Sequence, residues 1–122
     1  MSISNYAELK ILDHLTSTTS WTMPADAFLK LHLADAGEAG TTSAAANTTR
    51  QAVAFAAAAS GAIASSATVT WTSVSTTETY SHWSMWDDVS AGNCLWTGAL
   101  SSSAAVTAGD TFQITALTLS LD

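Results

Sequence analysis

Thr68-Val69-Thr70-Trp71-Thr72 decides the fold. Hydroxyl side chains alternate there with large apolar ones, and a two-residue repeat suits a pleated surface with one buried face. A little further on, Thr79-Tyr80-Ser81-His82-Trp83-Ser84-Met85-Trp86 is a second strand candidate with heavier aromatics. Sixty of the 122 residues are Ala, Ser or Thr and only 13 are charged. Disorder accompanies low hydrophobicity and high net charge, whereas 48% of this chain is apolar, so it folds.

Outward from these runs, turn residues divide the chain into short segments. In residues 28–34, Leu29, Leu31 and Leu33 alternate with Phe28, Lys30 and His32 and point to the opposite face. Residues 35–49 contain Gly37, Gly40 and small polar residues without apolar period, which marks a long loop. Residues 44–59 pose a conflict, because alanine is the best helix former. Gln51, Val53 and Phe55 alternate, however, and Ser60-Gly61 stops the run abruptly, so residues 51–57 read as strand. Further strands are expected at 67–74, 79–86, 94–100 and 111–121, the last divided near Ala116, with turns at 87–93, 101–103 and 109–110. About six to eight short strands at this spacing predict a mainly β chain, an antiparallel β-sandwich of jelly-roll or immunoglobulin-like topology.

Before the strands, Asn5 and Glu8 have the spacing of a capping box, and Leu9, Ile11, Leu12 and Leu15 recur at helical intervals. A short amphipathic helix over Asn5–Leu15 follows, then a polar connector at residues 16–20; Pro24 biases Met23 toward extended backbone. The whole of residues 1–122 makes one domain, with residues 1–20 as helix and connector. A helix this short is marginal alone, so Leu9, Leu12 and Leu15 must pack on something. That something is either the sandwich itself or, the favoured expectation, a neighbouring subunit that the flexible connector lets the helix reach as an assembly arm.

Composition excludes several functions. The net charge of −7, with Lys10, Lys30 and Arg50 as the cations, removes the electrostatic term behind nucleic-acid binding. Residues 52–59 form the longest apolar stretch, far short of the roughly 20 needed for a membrane span. The N-terminus lacks the basic and apolar regions of a signal peptide, which fits assembly in a cytoplasm. Cys94, beside Leu95 and Trp96, reads as a buried, inert thiol.

Chemical motifs are scarce. His14, His32 and His82 lack zinc-ligand spacing. Asp87, Asp88 and Asn93, like Asp35 and Glu38, read as solvated turn groups rather than a calcium loop. No Gly-x-Ser-x-Gly elbow occurs, and adjacent Ser81 and His82 face opposite ways in a regular strand. The chain is read as a non-enzyme, with no catalytic, cofactor-binding or metal residue assigned. Five tryptophans remain: Trp21, Trp71, Trp83, Trp86 and Trp96. In strand 79–86, Trp83 and Met85 oppose Tyr80 and Trp86, so one pair needs cover from outside its own core. Subunit contact supplies that cover, with stacking on sugar rings as the alternative. The candidate partner-binding residues are Tyr6, Leu9, Leu12, Leu15, Trp21, Tyr80, Trp83 and Trp86.

Several segments carry a resemblance: Met1-Ser2-Ile3-Ser4-Asn5-Tyr6 with Leu12-Asp13-His14, Leu31-His32-Leu33-Ala34-Asp35-Ala36-Gly37-Glu38, Arg50-Gln51 leading to Val53 and Phe55, Gly92-Asn93-Cys94-Leu95, Gly98-Ala99-Leu100, and Ala108-Gly109-Asp110-Thr111-Phe112. Together they resemble a family of small tailed-bacteriophage virion proteins, nearly end to end. Ala36, where the family often has proline, and the extra tryptophans depart from its pattern. Members are tail-fibre-like or capsid-decorating (cement) proteins, and the resemblance brings no catalytic residue. It implies a virion component: in the first instance a decoration protein on the outer capsid surface, bound to the major capsid protein and to its own copies as a homo-oligomer. The second expectation is a tail or fibre-adaptor protein contacting the host surface or glycans. Either role is adhesive, and small side chains lose little entropy when ordered at a broad contact.

Overall fold

Turn chemistry and alternation yield, in order, β1 (Ser2–Ile3), α1 (Asn5–Leu15), β2 (Ala27–His32), β3 (Gln51–Val53), β4 (Ala62–Ala64), β5 (Val69–Trp71), β6 (Glu78–Trp86), β7 (Cys94–Val106), β8 (Phe112–Ile114) and β9 (Thr118–Ser120). These come from a computed structural model that describes residues 1–22 and 24–121; the expectation placed on Met23 lies outside them. Five strands make one antiparallel sheet in the order β1-β7-β6-β2-β3. Two antiparallel ladders, β4-β9 and β5-β8, provide the second layer. The chain is mainly β and antiparallel as expected, a sandwich whose second layer is split.

Alternation explains the inner face. Leu29 pairs with Met85 and Leu31 with Trp83 across β2 and β6, and all four are buried. Val69, Trp71, Phe112, Ile114 and Leu119 from the ladders join them in one core cluster. Trp71 and Tyr80 meet the Phe112 ring at centroid distances of 5.7 and 5.1 Å, the second edge-on, a preferred aromatic geometry. Gly98 faces Trp83 across β6 and β7. A Cβ on Gly98 would stand 2.5 Å from the indole Cζ2, so the missing side chain makes room for the ring.

Three expectations need correction. Residues 101–103 are not a turn but lie within β7. Tyr80 pairs with Ala104 and His82 with Ala99, so five steps along β7 oppose two along β6. The serines form an irregularity of the ladder, and their local hydrogen-bonding versatility suits a bulge as well as a turn. Because the bulge interrupts the pleat, strict alternation no longer separates Tyr80 from Trp83, and both enter the same core. The very short β1 and β4 were not foreseen, having too few residues to show a period.

The second correction concerns the helix start, which is capped by Ser4 instead of Asn5. The Ser4 Oγ accepts from the Ala7 N–H at 3.2 Å and donates to the Cys94 carbonyl, while the Ser4 N–H donates to the Leu95 carbonyl at 3.0 Å. Sheet pairing of β1 with Trp96 and Thr97 thus delivers the chain to its cap. Third, the connector is tied back rather than left as a free tether. The Ser17 and Thr18 N–H groups donate to the His14 and Asp13 carbonyls, with Ser17 at φ 57°, which is a Schellman closure. The Trp21 N–H then donates to His14 Nδ1 at 3.3 Å, and Trp21 packs on the core.

Candidate functional site

A helix on a small β domain normally turns its apolar stripe inward. In α1 the buried residue is Ala7, with half-buried Tyr6 packed on the core beside it. Small Ser4 and Ala7 bring the helix close to β7, and this orientation sends the leucines out. Leu9, Leu12 and Leu15 are 65, 59 and 73% exposed. Spaced three apart, they occupy one side of the helix. Both ends of α1 are held, by Ser4 on β7 and by Trp21 in the core, so the stripe is presented in a defined place.

The aromatic candidates have the opposite fate. Tyr80, Trp83 and Trp86 are all buried, as are Trp71 and Trp96, while Trp21 is half-buried. The Tyr80 hydroxyl, beside Asn47 and Glu78, is enclosed without a hydrogen bond of good geometry, and burial raises its pKa. The open indole faces needed for sugar stacking are therefore not offered by these four tryptophans.

Trp86 lies on the second face of the sheet, where cover is supplied from within the chain. Gly40, at φ +66°, has no room for a side chain: a Cβ would stand 2.6 Å from Cys94 Sγ and 3.1 Å from the Trp86 ring. The Arg50 guanidinium lies 4.0 Å from the Trp86 ring centroid, a cation–π contact. The long loop between β2 and β3 thus takes the place expected for a neighbouring subunit.

Beneath that loop is a polar chain that sequence reading did not find. The Trp86 Nε1–H donates to Ser84 Oγ at 2.7 Å, Ser84 Oγ lies 2.7 Å from His32 Nε2, and His32 Nδ1 lies 2.8 Å from the Thr42 carbonyl. A carbonyl only accepts, so Nδ1 carries the proton; Nε2 then accepts from the Ser84 hydroxyl. His32 and Ser84 are fully buried and mutually satisfied. Burial chiefly, with the charges of Lys30 and His82, pulls the His32 pKa below its ordinary value against the Thr42 bond and Asp35. The alternation of His32 with Leu31, and of Ser84 with Trp83, was the available signal.

The remaining chemical candidates are engaged in local hydrogen bonds or buried. Ser81 and His82 do touch, at 2.8 Å, contrary to the expectation from strand alternation. Ser81 also lies 2.7 Å from the Leu33 carbonyl, to which it donates, and its oxygen then accepts from His82 Nδ1–H. His32 and His82 are cross-strand partners, but both nitrogens of His32 are engaged. Asp88 Oδ1 accepts from the Ser90 and Ala91 N–H groups, which hold its pKa low, and Asp87 accepts from Asn93. Asp35 accepts from the Gly37 N–H, and Glu38 from Ser2. Cys94 is buried, and desolvation pushes its thiol up to about 11. Among the described residues, no group of three or more His, Cys, Asp or Glu side chains is placed to hold a metal.

Over residues 2–122 the sequence matches the family described as Podophage GP4 fiber I protein gp80. No curated protein matches it. The chain belongs to this phage fibre family, in agreement with the resemblance to small tailed-phage virion proteins.

Proposed function

We propose that this chain is a non-enzymatic structural subunit of a phage tail fibre or its adaptor, attached to adjoining virion subunits through the outward leucines of α1. The observation that carries this reading is the combination of fibre-family membership with Leu9, Leu12 and Leu15 held in the open. Covering a leucine side chain contributes roughly 1.5–3 kcal/mol. A stripe fixed at both helix ends loses little further freedom on docking, which favours association. Tyr6, half-buried at the base of the helix, extends the contact toward the sheet. Capsid decoration, the first expectation from the resemblance, would use the same adhesion on a shell of major capsid protein. The family description supports the fibre instead.

The test is a phage carrying Leu9→Ser, Leu12→Ser and Leu15→Ser together, with the wild-type chain located in a density map of the virion. Folded variant protein should accumulate in lysates yet be missing from purified particles, and wild-type density should lie on the tail. Incorporation at the normal level would sink the leucine contact. Density distributed over the head would replace the fibre reading with decoration.

A further inference from the structure

Two of the three cations of this acidic chain converge on one indole. Lys30 Nζ is 5.9 Å and Arg50 Cζ 4.0 Å from the Trp86 ring centroid. Both line a cleft of about 330 Å³ whose other walls are Thr48, Thr49, Val89 and Ser90. Burial lowers the Arg50 pKa while Asp88 and Asp87 act against it, so part of the Arg50 charge is met within the chain, whereas the charge beside Lys30 is Arg50 itself. Asp88 is bound by Ser90 and Ala91, and Asp87 by Asn93. Arg50 spends Nη1 on the backbone carbonyls of Asp88 and Ala91, both at 2.7 Å, which pins the 87–93 turn and leaves Nη2 and Nε for a ligand. Lys30 has no hydrogen-bond partner or ion pair among the described residues. Its pKa is lowered by burial first and by Arg50 second; the group acting in the other direction is Cys94, a thiol that is neutral near pH 7.

We propose that this cleft is an oxyanion-binding site that takes the carboxylate or phosphate of an acidic saccharide. The Arg50 fork and the Lys30 ammonium face the anion together, one giving directed donors and the other a mobile point charge. Thr48, Thr49 and Ser90 set hydroxyls around it that match those of a sugar, and Val89 supplies an apolar wall. The carboxylate or phosphate would add negative charge on the Lys30 side of the cleft, while Asp88 and Asp87 already act on Arg50. The site does not rest on the fibre reading, since the same cleft would serve a virion protein at any location.

The experiment is a nuclear magnetic resonance titration of the full chain with glucuronate, glucose 6-phosphate, inorganic phosphate and glucose. One of the acidic sugars should move the amide signals of residues 48–50 and 88–91, and glucose should not. Lys30→Gln should weaken that binding about tenfold or more, as loss of a charged hydrogen bond implies, while Lys30→Arg should retain it. The half-exposed site of Lys30 makes both variants compatible with the fold. Absence of shifts with every anion, or shifts indifferent to Lys30→Gln, would rule the site out. Inorganic phosphate binding as tightly as glucose 6-phosphate, with no response to glucuronate, would overturn the saccharide assignment.

Discussion

α1 and β6 both carry large apolar side chains that looked available to a partner, and the fold treats them in opposite ways. The strand's Tyr80, Trp83 and Trp86 are enclosed, the first two by the ladders and the third by the loop bearing Gly40 and Arg50. The helix's Leu9, Leu12 and Leu15 stand open although leucine is the more ordinary core residue. Aromatic content therefore does not locate the outer contact surface of this chain. What decides is which side of each element its neighbours can reach: β6 is central in a sheet with layers on both faces, whereas α1 lies against β7 and leaves Leu9, Leu12 and Leu15 uncovered.

The sharpest way to test this contrast is at the strand. Trp83→Ala should cost about 3–5 kcal/mol, the usual range for deleting a buried tryptophan. Gly98→Ala, which drives a methyl into the same indole, should cost roughly 1–3 kcal/mol by overpacking. Urea denaturation measures both; a loss below about 1 kcal/mol for Trp83→Ala would mean that the ring is not enclosed as described.

A smaller effect is expected beneath the loop. Ser84→Ala strands the Trp86 Nε1–H and His32 Nε2 together, which should cost about 1–3 kcal/mol. The same network predicts a pH dependence. Because the folded state lowers the His32 pKa, the unfolded chain binds more protons below about 6.5, and stability falls as pH drops through that value toward the folded pKa. Denaturation midpoints at pH 7.5 and 5.5 should differ in this direction, and the difference should shrink in His32→Gln. An equal difference in the variant would assign the effect to other groups.

The least change in stability is expected on the helix. Leu12→Ser, at a site already mostly in water, should alter folding stability by no more than about 0.5 kcal/mol. A cost above about 2 kcal/mol would show that the leucine stripe belongs to the domain's own core and would erase the contrast with β6.

Much of the architecture was legible before the coordinates. The helix over Asn5–Leu15, the division of the last strand near Ala116, the 87–93 and 109–110 turns and a strand starting at Gln51 all follow from the chain's own pattern, although that strand stops at Val53 rather than running to residue 57. The bulge at residues 101–103 was not legible, because serine serves turns and bulges alike. Nor was the capping role of Ser4, since it depends on carbonyls some ninety residues away at Cys94 and Leu95. The candidate surface was half visible: the leucine spacing was evident, and its direction was not.

The sequence by itself determined the β class, the placement of most elements and the virion family, because periodicity, turn chemistry and motif likeness are local properties of the chain. Only the tertiary structure decided which apolar residues are spare. That choice depends on pairings between distant segments: His32 with Ser84, 52 residues apart, Gly40 against Cys94 and Trp86, and Ser4 against β7. The first two close the second face of β6, and the third sets α1 so that its leucines point outward. A residue's own chemistry makes it able to be buried, and its neighbours in space determine whether it is.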